Sequence, residues 1–395
     1  MNNQCFLNTK MCRSLRDTIN SSSIFQCDEK YRELFNLMCA VMDRLDTCVH
    51  YLNNHCEYPR SEEDFLCFLM FACMLKDGVE ELLKNTACNG QKYKSTEKIF
   101  FKMCCEGEPF LLSEEECLTD DEFFEYFRAI AFAHPFKTDR NKVIERKMGK
   151  QVSPWVSILS FAENGINNHR PVGVYFYSTK KDPDGNDAHH VRFSFDSLIG
   201  YIQSKYEQIV FAEQWVRRII TERMNEWRKD RIDRSKSAVE ILEQIRDINL
   251  RRFRSVYHTN EMVRYIQQPL SDRRNEKVVA KYRDYLISRI PDLCDAVEAV
   301  DFEKQCEIED EMLSFTPPKI HGGWHYQLEK IFSYLIEEDP GDTLWGRLQA
   351  SEFQKEFAHK WVNIDADQMG FTEIRLLVTV ACFLEKQEQE GKNHA

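Results

Sequence analysis

The sequence predicts a mainly α-helical protein with a small antiparallel β-sheet inserted near residues 152–195. Apolar residues recur every three or four positions over most of the chain, which is the period of an amphipathic helix. Residues 152–195 are instead rich in β-branched and aromatic residues, as strands are. Hydrophobic residues make up 43% of the 395 residues, and only 14 are Gly and 11 Pro. This composition excludes a disordered or collagen-like chain.

The first predicted elements form a helical hairpin. Residues 28–52 and 61–82 each carry an apolar stripe of helical period, and the Pro59 region places a turn between them. Ser61 is a residue type that caps helices, so the second helix is predicted to begin there.

A third helix is predicted from Thr119, which forms a capping box with Glu122, to Pro135, which ends it. Three strands follow at residues 155–159, 174–178 and 191–195, with residues 182–187 as a hairpin turn. The rest of the chain is predicted to be helical, in segments at 204–228, 238–253, 276–290 and 294–313 and from near Trp324, Leu344 and Phe371.

Changes of composition divide the chain into five predicted segments. They are an N-terminal segment (1–27), a helical domain (28–150), a small β-sheet insertion (151–200), long basic helices (201–316) and an acidic C-terminal helical region (317–395).

The net charge of −12 hides a strong asymmetry along the chain. Residues 128–150 carry +5 and residues 217–289 carry +8, whereas residues 290–395 carry −13. Such blocks predict a surface for a polyanion. Guanidinium forks suit phosphate oxygens and interleaved aromatic rings can stack on bases, which favours RNA or single-stranded nucleic acid. The candidate contacts are Lys137, Arg140, Lys142, Arg146, Lys147, Arg217, Arg218, Arg251, Arg252 and Arg254.

An alternative interpretation of the basic helices stays open. Eleven acidic residues share residues 217–289 with nineteen basic ones, so the charges can pair within the protein. The chain would then be a non-catalytic helical interaction or scaffold protein. Its basic helices would dock an acidic protein partner or its own acidic C-terminal region.

Arg128 and His134 are separated by five residues in the predicted third helix. This R-x4-6-H spacing, beside a helical hairpin, resembles the signature of the HEPN superfamily over about residues 28–150. The resemblance implies a metal-independent endoribonuclease of a stress or defence system that cleaves RNA as a homodimer. His134 would act as general acid or base toward the ribose 2'-hydroxyl, and Arg128 would stabilise charge on the phosphate.

Two alternatives accompany this resemblance. His134 before Pro135 also fits a helix end with an imidazole near the last carbonyls. Arg252 and His258 repeat the spacing inside the larger basic block, where an exposed basic helix with a C-terminal His is the simpler interpretation.

The sequence lacks several common catalytic motifs. It has no phosphate-binding glycine loop, no dinucleotide fingerprint, no esterase elbow and no zinc-protease motif, so the chemistry that depends on them is not expected. No metal or other cofactor is predicted. No apolar run approaches the ~20 residues of a membrane span, and the N-terminus does not resemble a secretory signal, so a cytoplasmic protein is expected.

Overall fold

The computed structural model describes residues 6–86, 96–133, 136–138, 141–157, 171–182, 184–253, 256–313, 324–338 and 341–393. It confirms the predicted fold class, because most of the described elements are helices and the strands form one small antiparallel sheet. In chain order the elements are α1 (Thr9–Asn20), α2 (Ile24–Cys27), α3 (Glu29–Asn54), α4 (Glu62–Thr86), α5 (Lys102–Glu106), α6 (Asp120–Arg128), β1 (Lys137–Thr138), α7 (Lys142–Met148), β2 (Gln151–Ser157), β3 (Pro171–Ser178), β4 (Ala188–Ser194), α8 (Phe195–Glu207), α9 (Ile209–Trp227), α10 (Ala238–Phe253), α11 (Tyr257–Gln267), α12 (Glu276–Ala299), α13 (Phe302–Leu313), α14 (His325–Tyr334), α15 (Thr343–Glu356) and α16 (Phe371–Asn393).

The chain forms two compact units, residues 1–221 (unit 1) and residues 222–395 (unit 2), and the division falls within α9. Unit 1 contains the sheet, and the core of unit 2 is built from helices. The five segments predicted from composition are a finer division and stay a prediction. Among the described residues, none of the helices combines the length and the apolar character that crossing a bilayer requires.

The predicted helical hairpin is formed by α3 and α4. The side chain of Asp28 caps α3 by accepting the N–H of Lys30 (3.0 Å), and Ser61 Oγ accepts the N–H of Asp64 (3.1 Å) at the start of α4. A Cβ atom on Gly78 would lie 3.3 Å from Cδ2 of Leu45. The two helices therefore approach closely at a point where glycine leaves room.

The start of α6 confirms the predicted capping box. Thr119 Oγ1 accepts the N–H of Glu122 (3.2 Å), and Glu122 Oε2 accepts the N–H of Thr119 (3.0 Å). The helix changes to π-helical winding over Ala129–Ala133.

The prediction of one long helix over residues 204–228 is wrong. Helix α8 ends at Glu207 and α9 begins at Ile209. Buried Ile202, Tyr206 and Ile209 keep the three-to-four spacing across the break, so the apolar pattern hides it.

The predicted helix boundary near Pro291 is also wrong, because α12 continues through this proline to Ala299. Leu293 and Val297 are fully buried on the same helix, and their burial offsets the one backbone hydrogen bond that a proline removes. Val300, with φ at 59°, instead separates α12 from α13.

The sheet is antiparallel throughout, with the strand order β1-β2-β3-β4. Its inner face is apolar and packs on the helices of unit 1. The Phe193 ring lies 4.6 Å from that of Phe127 and 5.5 Å from that of Phe101, measured between centroids. This packing leaves the outer face open to solvent.

Candidate nucleic-acid interface

The outer face of the sheet carries four neighbouring rings, which we call the aromatic platform: Trp155, Tyr175, Tyr177 and His190. The Trp155 and Tyr175 rings are stacked, with centroids 5.3 Å apart and planes 12° apart. Tyr177 lies 6.0 Å from Trp155, and the His190 imidazole lies 5.5 Å from Tyr175. Trp155 is 42% exposed and Tyr177 is 44% exposed. Large aromatic residues in contact with each other and open to solvent form a binding surface more often than a structural one.

Strand alternation places three of these rings on one face. In β3, Tyr175 and Tyr177 alternate with the buried residues Val174 and Phe176. In β4, His190 follows the buried His189, so the two imidazoles lie on opposite faces, as the strand period predicts.

Trp155 reaches this face through a β-bulge in β2. Val152 is opposite Tyr177 and Trp155 is opposite Tyr175, so three residue steps in β2 match two in β3. In a regular strand, residues three positions apart, such as Val152 and Trp155, lie on opposite faces. The extra residue of the bulge places Trp155 on the outer face. Pro154 lies within the bulge, where a missing backbone N–H costs little.

The surroundings of His190 favour the neutral imidazole over the imidazolium cation. Partial burial lowers its pKa below the usual value, and the neighbouring charge of Arg192 lowers it further, although Glu108 opposes this effect. The imidazole is therefore neutral near pH 7 and suited to stacking.

Lysines gather where β2 begins and β3 ends, and we call them the lysine cluster: Lys137, Lys147, Lys150, Lys180 and Lys181. Backbone hydrogen bonds bring this end together. The N–H of Thr179 donates to the carbonyl of Lys150 (3.0 Å), and the N–H of Lys180 donates to that of Met148 (3.1 Å). Lys137 lies beside them on the edge strand β1. The predicted cations Lys137 and Lys147 are therefore on the same end of the sheet.

The remaining predicted cations of this stretch are paired. Lys142 lies 2.8 Å from Glu145, and Arg146 lies 3.6 Å from Glu116. Within the described part of the chain, by contrast, Lys137, Lys147, Lys180 and Lys181 have no acidic partner. Arg140 lies outside the described residues.

Arg217, a predicted contact in α9, lines a separate groove of unit 1 with a volume of about 380 Å³. Glu213 accepts hydrogen bonds from Nε (2.9 Å) and Nη2 (2.6 Å) of Arg217 and from the Ser14 hydroxyl (2.9 Å). The groove is lined by Lys10, Arg13, Ser14, Asp17, Thr18, Ser21 and Arg217. Arg218 is exposed on the same helix.

Part of the larger basic block is neutralised by carboxylates in unit 2. Arg234 binds Asp295 (2.6 Å) and Glu298 (3.0 Å), and Arg289 binds Glu311 (2.7 Å). These acids belong to the acidic region after residue 290. Arg251 is exposed and pairs with Asp230 at 3.0 Å, and Arg254 lies outside the described residues.

Arg252 is buried inside unit 2 and is 1% exposed. Its guanidinium donates to the carbonyls of Val297 (2.7 Å) and Trp227 (2.5 Å) and to Asp230 Oδ2 (3.0 Å). These partners hold the guanidinium within the fold, so Arg252 does not form part of an exposed phosphate-binding surface. His258, its partner in the second predicted pair, instead hydrogen-bonds Glu309 at 2.8 Å.

Arg128, the predicted catalytic arginine, ends α6 among acidic residues. Its Nη1 lies 3.3 Å from Asp77 Oδ2, and its Nε lies 3.7 Å from Glu125 Oε2. The same Glu125 binds the buried Lys76 at 2.8 Å. A phosphate at this guanidinium would have to compete with two carboxylates. His134 lies outside the described residues, so its pairing with Arg128 stays a prediction.

No protein-family model, curated protein or solved structure matches this chain. The assignment of this surface as a candidate interface therefore rests on the geometry of its own residues. Sequence reasoning did not single out the aromatic platform or Lys180 and Lys181. The alternation of Tyr175 and Tyr177 with apolar residues is a signal that could have found part of it, whereas the bulge that turns Trp155 outward has no comparable signal.

Proposed function

We propose that the protein binds single-stranded nucleic acid, RNA or DNA, through the aromatic platform. The observation that carries this proposal is the contact of solvent-exposed Trp155 and Tyr177 with the half-buried Tyr175 on an open sheet face. Stacking of a base on an aromatic side chain contributes about 1–3 kcal/mol and is tolerant of sequence. Exposed aromatic residues on a sheet are a common way to hold splayed bases.

The ligand is proposed to be a single strand because the faces of its bases are accessible. In a duplex those faces are covered by neighbouring base pairs, and an aromatic surface cannot reach them. Flat rings also suit sugars, but cations lie on both sides of this platform. Arg192 is exposed on β4, and Lys137 lies in the same cross-strand row as Tyr177. The exposed Lys137 suits a phosphate beside a stacked base.

For unit 2 the ion pairs favour the alternative function. Arg234 and Arg289 bind carboxylates of the acidic region, so the charge of these two arginines is neutralised within the protein. We therefore assign the helices of unit 2 a structural or protein-interaction role. RNA cleavage by Arg128 and His134, and the homodimer that the HEPN resemblance implies, stay predictions.

Replacing Trp155 tests the binding proposal. We expect Trp155→Ala to weaken binding of a labelled twelve-nucleotide single strand by roughly 5- to 150-fold, the equivalent of about 1–3 kcal/mol. Fluorescence anisotropy at low salt would measure the affinity, with circular dichroism to verify folding.

Tyr326→Ala provides the control, because Tyr326 is an exposed aromatic residue (50%) of unit 2 outside the platform. It should leave the affinity unchanged. Equal affinities of Trp155→Ala and the parent protein, or no binding by the parent at low salt, would refute the proposal.

A further inference from the structure

We infer that the bound strand continues from the aromatic platform over the lysine cluster, so that the site takes a strand longer than the bases it stacks. This inference rests on the proposed function and adds to it the path and the minimum length of the ligand. The lysine cluster would then bind the phosphates of the strand without distinguishing between its bases.

The register of the strands arranges the platform and the cluster in consecutive rows. Arg192 is opposite Gly173, the next outward row contains Trp155 and Tyr175, and the row after that contains Tyr177. Outward rows are two residues apart, or about 6.6 Å along the strand. The lysine cluster begins beside the Tyr177 row, which contains Lys137, and the ammonium groups of Lys147 and Lys180 at this end of the sheet donate to the carbonyls of Leu111 and Arg146.

Four lysines of the cluster, Lys137, Lys147, Lys180 and Lys181, have no carboxylate partner among the residues that the structure describes. Asp182 is committed to the hairpin turn, where it accepts the N–H (2.7 Å) and the side-chain amide (3.1 Å) of Asn186. Glu145 and Glu116 pair with Lys142 and Arg146. Asp184 and Asp187 are the exposed carboxylates of this turn, against these four lysines.

Lysine contacts of this kind have a defined thermodynamic signature. An ammonium group binds a phosphate as a point charge, so it adds affinity for any sequence. Each phosphate neutralised on a single strand contributes about 0.7 to the slope of log affinity against log salt concentration. A trinucleotide fits the two or three bases that a platform stacks, whereas a twelve-nucleotide strand also reaches the lysines.

The test compares labelled oligouridylates of three and twelve nucleotides in the full chain. We expect the twelve-nucleotide strand to bind more tightly to the parent protein. The double variant Lys180→Gln with Lys181→Gln should reduce the salt slope for this strand by about 1.4 and leave trinucleotide affinity unchanged. Lys137→Gln, on the edge strand, should reduce the salt slope by about 0.7. This single variant replaces the double variant in the test if the double variant folds poorly.

A matched control removes the same charge elsewhere in unit 1. The double variant Lys10→Gln with Arg13→Gln, in the groove beside Arg217, should leave the slope unchanged. The inference is overturned if both strand lengths bind the parent equally, or if the groove variant lowers the slope and the cluster variants do not. If the parent binds neither strand, the proposed function itself fails.

Discussion

The two basic stretches of this chain, residues 128–150 and residues 217–289, contain cations that are used in opposite ways. In the first, Lys137 and Lys147 are exposed beside the sheet and have no acidic partner among the described residues. In the second, Arg234 and Arg289 bind acids of the C-terminal region. Net charge along a sequence therefore does not predict the charge of a surface.

The residue types help to explain the difference. A guanidinium presents a rigid fork of donors that suits several fixed acceptors inside a protein, whereas an ammonium group is compact and strongly hydrated. Arg252 binds two carbonyls and one carboxylate, and Arg234 binds two carboxylates. Beside the sheet, Lys147 and Lys180 each donate to one backbone carbonyl and, among the described residues, to no carboxylate.

The largest effect expected from this comparison is on stability. Arg252→Met should lower the free energy of unfolding of unit 2 by about 3 kcal/mol, because it leaves two buried carbonyls and the Oδ2 atom of Asp230 without this donor. Arg251→Met removes an exposed partner of the same Asp230 and should cost less than about 1 kcal/mol. Urea unfolding would measure both, and a small, equal cost would contradict the structural role of Arg252.

A smaller effect is expected on binding. Lys147→Gln should weaken binding of a twelve-nucleotide single strand several-fold, because it removes one phosphate contact at the sheet. Arg234→Gln removes the same charge but should leave this affinity unchanged, since Asp295 and Glu298 already neutralise that guanidinium. Titration at two salt concentrations measures both, and a greater loss for Arg234→Gln would reverse the comparison.

The smallest effect concerns His258, whose pKa is raised above its usual 6.5, chiefly by the hydrogen bond to Glu309. A raised histidine pKa stabilises the fold below the unfolded pKa, and this contribution is lost as pH rises through the folded pKa. Because the side chain is 40% exposed, His258→Gln should cost only about 0.5 kcal/mol at pH 6 and less at pH 8.5. A cost that increases with pH would exclude this ion pair as its source.

Much of the fold follows from local signals, and much of the site does not. The capping box at Thr119 and the apolar stripe of residues 28–52 predict their helices because cap and packing act within a few residues. Arg252 looks like its exposed neighbour Arg251 in the sequence, and only the contact with Val297, 45 residues away, reveals its burial. The aromatic platform is likewise assembled by register across three strands.

The bulge in β2 makes the outer face sensitive to the deletion of a single residue. One additional residue between Val152 and Trp155 decides which side of the sheet receives the indole. Loss of a single codon there would turn the largest ring of the surface toward the interior while the amino-acid composition stayed almost the same. Deleting one residue between Val152 and Trp155 would therefore alter this surface without replacing any of its rings.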